Sequence, residues 1–175
     1  MTPHHSMRRH GGFTIVEALV ALVVLSIGML GIASLYVTSL KANRNALIRS
    51  QAVNLVNDMA DRIRANPRAR GAYDMAAYGG APAKHSCVVT SNCVAADLAE
   101  DDLAWWLASV TSPATGLTGA NVTGNVVYAA AAATGLPDTY TITTQWTDAG
   151  DKTATSATPP TLSYSAILQM IPLSP

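Results

Sequence analysis

From Ala18 to Leu40 the chain runs without a single formal charge, and Glu17 stands immediately before that run. A helix of this length, rising about 1.5 Å per residue, spans about 30–35 Å and is long enough to cross a hydrocarbon core. A core helix of a soluble protein would show a polar face, and Ala18 to Leu30 has none beyond Ser26. A removable secretory signal has an apolar region of only about 7–15 residues. Here the run is longer, begins beside a carboxylate and passes straight into a helical pattern. The same objections meet the twin-arginine reading of Arg8 and Arg9. The reading is therefore a membrane-spanning segment with an acid at its edge. A charged side chain in a span costs about 2.5–3.5 kcal/mol on insertion scales unless it finds a partner.

The rest of the composition fits a chain made partly for lipid or for a packed assembly. Only 13% of its 175 residues are charged, and the formal net charge is zero. That gives no global case for nucleic acid or an acidic substrate. Basic residues flank the span on both sides (Arg8 and Arg9 before it, Lys41, Arg44 and Arg49 after it), so charge alone does not orient it. The two cysteines, Cys87 and Cys93 in HSCVVTSNC, do more. An even pair around a short loop suits a disulfide, which persists outside the cytosol. A zinc site on His85, Cys87 and Cys93 is the alternative, with three donors at a spacing unlike structural zinc sites. With the disulfide, the part beyond the span lies outside the cytoplasm.

Helical periodicity continues past the span. In NALIRSQAVNLVNDMADRIRANP, Ile48, Ala52, Leu55, Met59 and Ile63 form one apolar stripe, with Asp58 and Arg62 as a surface pair opposite. Nothing interrupts the chain between Thr14 and Asn66 except Gly28 and Gly31, and Pro67 stops the run. The expectation is one long helix, apolar all round at first and amphipathic later. NCVAADLAEDDLAWWLASV reads as a shorter helix with Leu98, Leu103, Trp106, Leu107 and Val110 near one face. Asp97, Glu100, Asp101 and Asp102 crowd its start. This reads as a solvated, dipole-matched helix end, with a calcium site as the functional alternative. Trp105 and Trp106 point about 100° apart on a helix, so one is expected in the core and the other at the surface.

Beyond that helix the period falls to two. TYTITTQWT places Tyr140, Ile142, Thr144 and Trp146 on one side, and VTGNVVYAA and TLSYSAILQMI read as further strands. GLPD and DAGDK supply turns, TATSATPP a loop, and PLSP a frayed end. A small antiparallel sheet laid on the amphipathic half of the long helix buries both apolar faces.

GGFTIVEALVAL resembles the leader junction of type IV prepilins: a short basic leader, Gly12, Phe13 and then Glu17 at the family's spacing. The resemblance implies that a prepilin peptidase cuts after Gly12 on the cytoplasmic side and N-methylates Phe13. It also implies that Glu17 pairs with the new amine, on its own chain or a neighbour, during assembly. LSIGMLGIASL, MADRIRANP, DLAEDDLAWW and YTITTQW are similar to segments of minor pilins of the PilV type, the type IV pilus modification family. Major pilins carry a proline where this chain has Ser34, which favours a minor subunit. The implied fold is α+β and pilin-like: a long N-terminal helix packed on a small antiparallel head sheet with one extra short helix. The expected partition is a removed leader over 1–12, a transmembrane and assembly half over 13–40, an amphipathic half over 41–66, and a periplasmic head over 67–175.

On that resemblance the chain sits in the bacterial inner membrane, N-terminus cytoplasmic, and then joins a pilus, with the tip as the implied position. Its partners are other minor pilins and the major pilin, and its role is priming of assembly in support of twitching motility and surface attachment. An I-type pseudopilin of type II secretion is the alternative. A pilus subunit that takes up DNA is another, resting on Arg62, Arg64, Arg68 and Arg70, which also suit a helix C-terminus. No enzymatic activity is expected, and no cofactor or metal. His85 is the only histidine beyond the leader, and there is no phosphate loop or dinucleotide fingerprint.

Overall fold

A computed structural model of the chain describes residues 12–87, 89, 92–115, 117, 122–147 and 161–172. Arg8 and Arg9 of the leader, the DAGDK turn, the TATSATPP loop and all of PLSP but Pro172 lie outside the described residues. The first element, α1, spans Ile15–Ala65 without a break at Gly28 or Gly31. It starts one residue after the expected point because Thr14 is its cap: the Thr14 hydroxyl accepts the Glu17 backbone N–H at 3.3 Å. Thr14 and Glu17 thus stand in the T-x-x-E spacing of a capping box. Pro67 stops the helix, and the Asn66 side-chain amide donates to the Ala95 carbonyl at 2.8 Å.

The chain forms two compact units, one ending at Asn43 and the other beginning at Arg44. In the first unit the large apolar side chains of the described residues are exposed. The most apolar window has a mean hydropathy of 2.5 and is 0% buried. Two of the unit's hydroxyls are satisfied within the helix: that of Ser26 donates to the Leu22 carbonyl and that of Thr38 to the Ser34 carbonyl, at 2.7 and 3.0 Å. That is the arrangement a helix needs where water is absent.

The second unit holds the hydrophobic core. Its elements are the last turns of α1, helix α2 (Ala95–Thr111) and strands β1 (Thr123–Ala129), β2 (Asp138–Thr147) and β3 (Thr161–Met170), with short 3-10 turns at Arg70–Tyr73, Met75–Tyr78 and Pro113–Thr115. The strands form an antiparallel meander in the order β1-β2-β3. Val126, Ile142 and Ala166 lie side by side across it, as do Tyr128, Tyr140 and Leu168. Tyr140, Ile142, Thr144 and Trp146 are buried, as the two-residue period predicts. Gly135, in the turn before β2, has φ 87°, where a side chain would be strained.

The buried arc of α1 is wider than the predicted stripe. Ala52, Met59 and Ile63 are in the core, together with Val56 and Ala60, whereas Ile48 and Leu55 are half-buried. On α2 the buried row is Ala99, Leu103, Trp106 and Val110. Leu103, Trp106 and Val110 of the expected face are buried, whereas Leu98 points outward and Leu107 is half-buried, at the two edges of that face. Trp106 anchors it. Its indole N–H donates to the Leu55 carbonyl at 2.7 Å, and its ring lies where a β-carbon on Gly124 would come within 2.6 Å. Trp105 is half exposed, with the Lys84 ammonium 4.2 Å from its ring centroid.

Candidate functional site

Two places in the chain carry chemistry beyond packing. The first is the N-terminal junction. Gly12, Phe13 and Glu17 are all exposed, and a β-carbon built on Gly12 would meet nothing within 4 Å. Among the described residues, packing places no demand for a small residue there. Phe13 is 71% exposed, one residue before the Thr14 cap. Glu17 lies in the first turn of α1, where a carboxylate faces the unpaired amides of the helix start.

The second place is the start of α2, where the acidic residues are not the solvated group that the sequence suggested. Asp101 is only 2% exposed. One of its oxygens accepts the backbone N–H groups of His85 and Ser86 at 3.0 and 3.3 Å, and the other accepts that of Cys87 at 3.0 Å. Glu100 accepts the Ala83 N–H at 2.8 Å and meets His85 Nε2 at 2.7 Å. The hydrogen bond from Glu100 raises the His85 pKa, and the Ala83 amide, followed by His85, lowers that of Glu100. Asp102 accepts from Arg62 at 2.9 Å and from the Tyr73 hydroxyl at 2.8 Å, and burial, then Asp102, pushes that phenol up.

The acidic cluster thus clamps the segment 83–87 and the end of α1. Cys87 and Cys93 are joined in a disulfide, so this segment is held covalently as well. The zinc alternative falls, because both sulfurs are in the bond and His85 faces Glu100. The calcium alternative loses its support too, since Glu100, Asp101 and Asp102 already accept protein donors.

The arginine cluster is also committed. Arg62 pairs with Asp58 at 3.0 Å and with Asp102, so it is not merely the surface partner that the sequence implied. Arg64 pairs with Asp61 at 2.6 Å. Arg70 makes two bonds to Asp138, at 2.8 and 3.0 Å, which raises its own pKa and holds the Asp138 carboxyl below the usual range. Asp138 is 1% exposed, so this pair joins the turn after α1 to the start of β2. Of the four arginines, Arg68 alone has no ion pair among the described residues. A phosphate-binding row has little left to work with.

Sequence matches define the junction. Residues 7–33 match the family model described as the prokaryotic N-terminal methylation motif. Residues 34–104 match that described as type IV pilin Tt1218. Neither model alone spans half of the chain, but the two run end to end from residue 7 to residue 104. Over those residues the chain is similar to type IV pilins. The methylation motif implies processing by a prepilin peptidase and assembly into a pilus, and the uncovered apolar half of α1 accords with a membrane anchor. No curated protein and no solved structure matches the chain. Its fold, a long N-terminal helix with a small antiparallel three-stranded sheet and one extra short helix, is that of a type IV pilin.

Sequence reasoning missed Thr14, Asp101 and the Arg70–Asp138 pair. The T-x-x-E spacing could have revealed Thr14. Nothing local marks Asp101, whose partners are backbone amides.

Proposed function

We propose that this pilin is a minor subunit of a type IV pilus, of the PilV type, that takes part in priming assembly and so supports twitching motility and surface attachment. The observation that carries the reading is the Gly12–Phe13 junction, set just ahead of an apolar helix that nothing among the described residues covers. Cleavage after Gly12 leaves a cationic amine on Phe13, and Glu17 is the acid within the same first turn or facing a neighbouring subunit. In a low-dielectric assembly that attraction is strong enough to select register, provided both charges are satisfied. Ser34 supports the minor role: α1 runs through it as continuous helix, where major pilins carry proline.

A secretion pseudopilin shares the leader and the long helix, but the matched family is described as a type IV pilin, which favours the pilus. No catalytic role is part of this reading; the chain is a substrate of the peptidase. The test is Glu17→Ala expressed in a host lacking the wild-type chain. The variant is expected to insert and be cleaved, yet to be depleted from sheared pili and to leave twitching impaired. Wild-type incorporation of the variant would remove the pairing argument.

A further inference from the structure

Strand β3 ends the sheet, and among the described residues no strand pairs with its far side. In any strand every second residue turns its N–H and carbonyl away from the neighbour, so a free edge is a template for another strand. Soluble proteins blunt such edges with lysine, proline, a bulge or a cover. Here Thr161–Ile171 contains no charged residue and no proline. The β2–β3 register is continuous from Asp138↔Met170 to Thr147↔Thr161, so no bulge turns the strand aside. The opposite edge differs. Strand β1 packs against α2 and the 3-10 turns after α1, with Trp106 over Gly124 and Tyr128 against Gly71.

Beside the open edge lies a groove of about 410 Å³ lined by Arg49, Val53, Trp146, Leu162, Ser163 and Tyr164. Its walls are mostly apolar, with Ser163 and Arg49 as the polar exceptions, and Arg49 is exposed and has no ion pair among the described residues. An open strand edge, an apolar groove alongside it and a free guanidinium at the groove define what fits. We infer that β3 receives, by strand addition, an extended segment of a different protein chain that carries an apolar side chain for the groove and a carboxylate for Arg49. A second copy of this chain fits less well. Its own edge strands, TGNVVYA and TLSYSAILQM, have no carboxylate to offer Arg49.

The test uses the full-length chain in detergent micelles. The probe is a blocked seven-residue peptide of alternating valine and threonine with one glutamate, followed by amide chemical shifts and hydrogen exchange. The expected result is new protection at alternate residues of β3. Binding should vanish when one alternate set of peptide amides is N-methylated and survive when the other set is. Replacing the peptide glutamate by lysine should weaken binding about fivefold, the scale of a partly exposed ion pair, and Arg49→Glu should reverse that preference. Strong protection of the whole β3 edge in the free chain would overturn the inference, because the chain would then cover the edge itself. So would peptide shifts confined to other elements, an affinity indifferent to both charge reversals, or self-association through β3 in sedimentation.

Discussion

Replacing Asp101 separates a loop clamp from a helix-end charge. Its carboxylate accepts two amides at 3.0 Å and a third at 3.3 Å, all from the segment that leads into Cys87. A hydrogen bond to a charged acceptor contributes about 1.5–3 kcal/mol. Two such bonds at good length and one long one set the gross loss. The freed amides lie on a largely exposed loop and regain part of it from water, so Asp101→Ala is expected to cost about 3–4 kcal/mol of a typical total of about 5–15. Asp101→Asn keeps one acceptor oxygen but turns an NH₂ group toward an amide, and should cost about 2 kcal/mol. A carboxylate that only complemented the helix dipole would contribute about 0.3–1 kcal/mol. The assay is urea unfolding of the full-length chain in micelles, followed by tryptophan fluorescence, with hydrogen exchange at residues 85–87. Costs below about 1 kcal/mol for both variants, with unchanged exchange at these amides, would refute the clamp.

Gly124→Ala drives a β-carbon to within 2.6 Å of the Trp106 ring and should destabilise the head by about 1–3 kcal/mol, read by the same unfolding assay. The His85–Glu100 bridge depends on pH from both sides. The raised His85 pKa gives stability that is complete below the ordinary 6.5 and lost as pH rises through the folded value, and the lowered Glu100 pKa gives stability complete above 4.5 and lost on acidification. Unfolding midpoints should therefore be highest between those two values, and His85→Gln should flatten the alkaline side of the profile. Arg70→Gln should move the Asp138 titration upward, toward or beyond the ordinary 3.8, in carboxyl-detected NMR, since the Arg70 hydrogen bonds are the main cause of its depression.

Much of the fold follows from repeating patterns that a single sequence displays. The uncharged run and the three- and four-residue spacing up to Ile63 mark α1, and the alternation from Tyr140 to Trp146 marks the central strand. The edge of the buried face of α2 is harder to read, because Ala99 contributes little apolar weight while Leu98 contributes much. Only the seating of Trp106 over Gly124 and against the Leu55 carbonyl decides which of them turns inward. The clamp is invisible for a related reason. A carboxylate near a helix start looks alike whether water or distant backbone amides satisfy it, and the amides bound by Asp101 are 14 to 16 residues away. The Arg70–Asp138 pair bridges 68 residues, beyond any local pattern. At the junction the reverse holds. Gly12, Phe13 and Glu17 are exposed among the described residues, and their spacing carries the signal.

The most direct test of the pilin reading is intact mass with N-terminal sequencing of the chain purified from its native host. The reading predicts a chain that begins at a methylated Phe13 and is lighter by two hydrogens for the Cys87–Cys93 bond. A chain that still begins at Met1, with an unmodified N-terminus and free thiols, would contradict it.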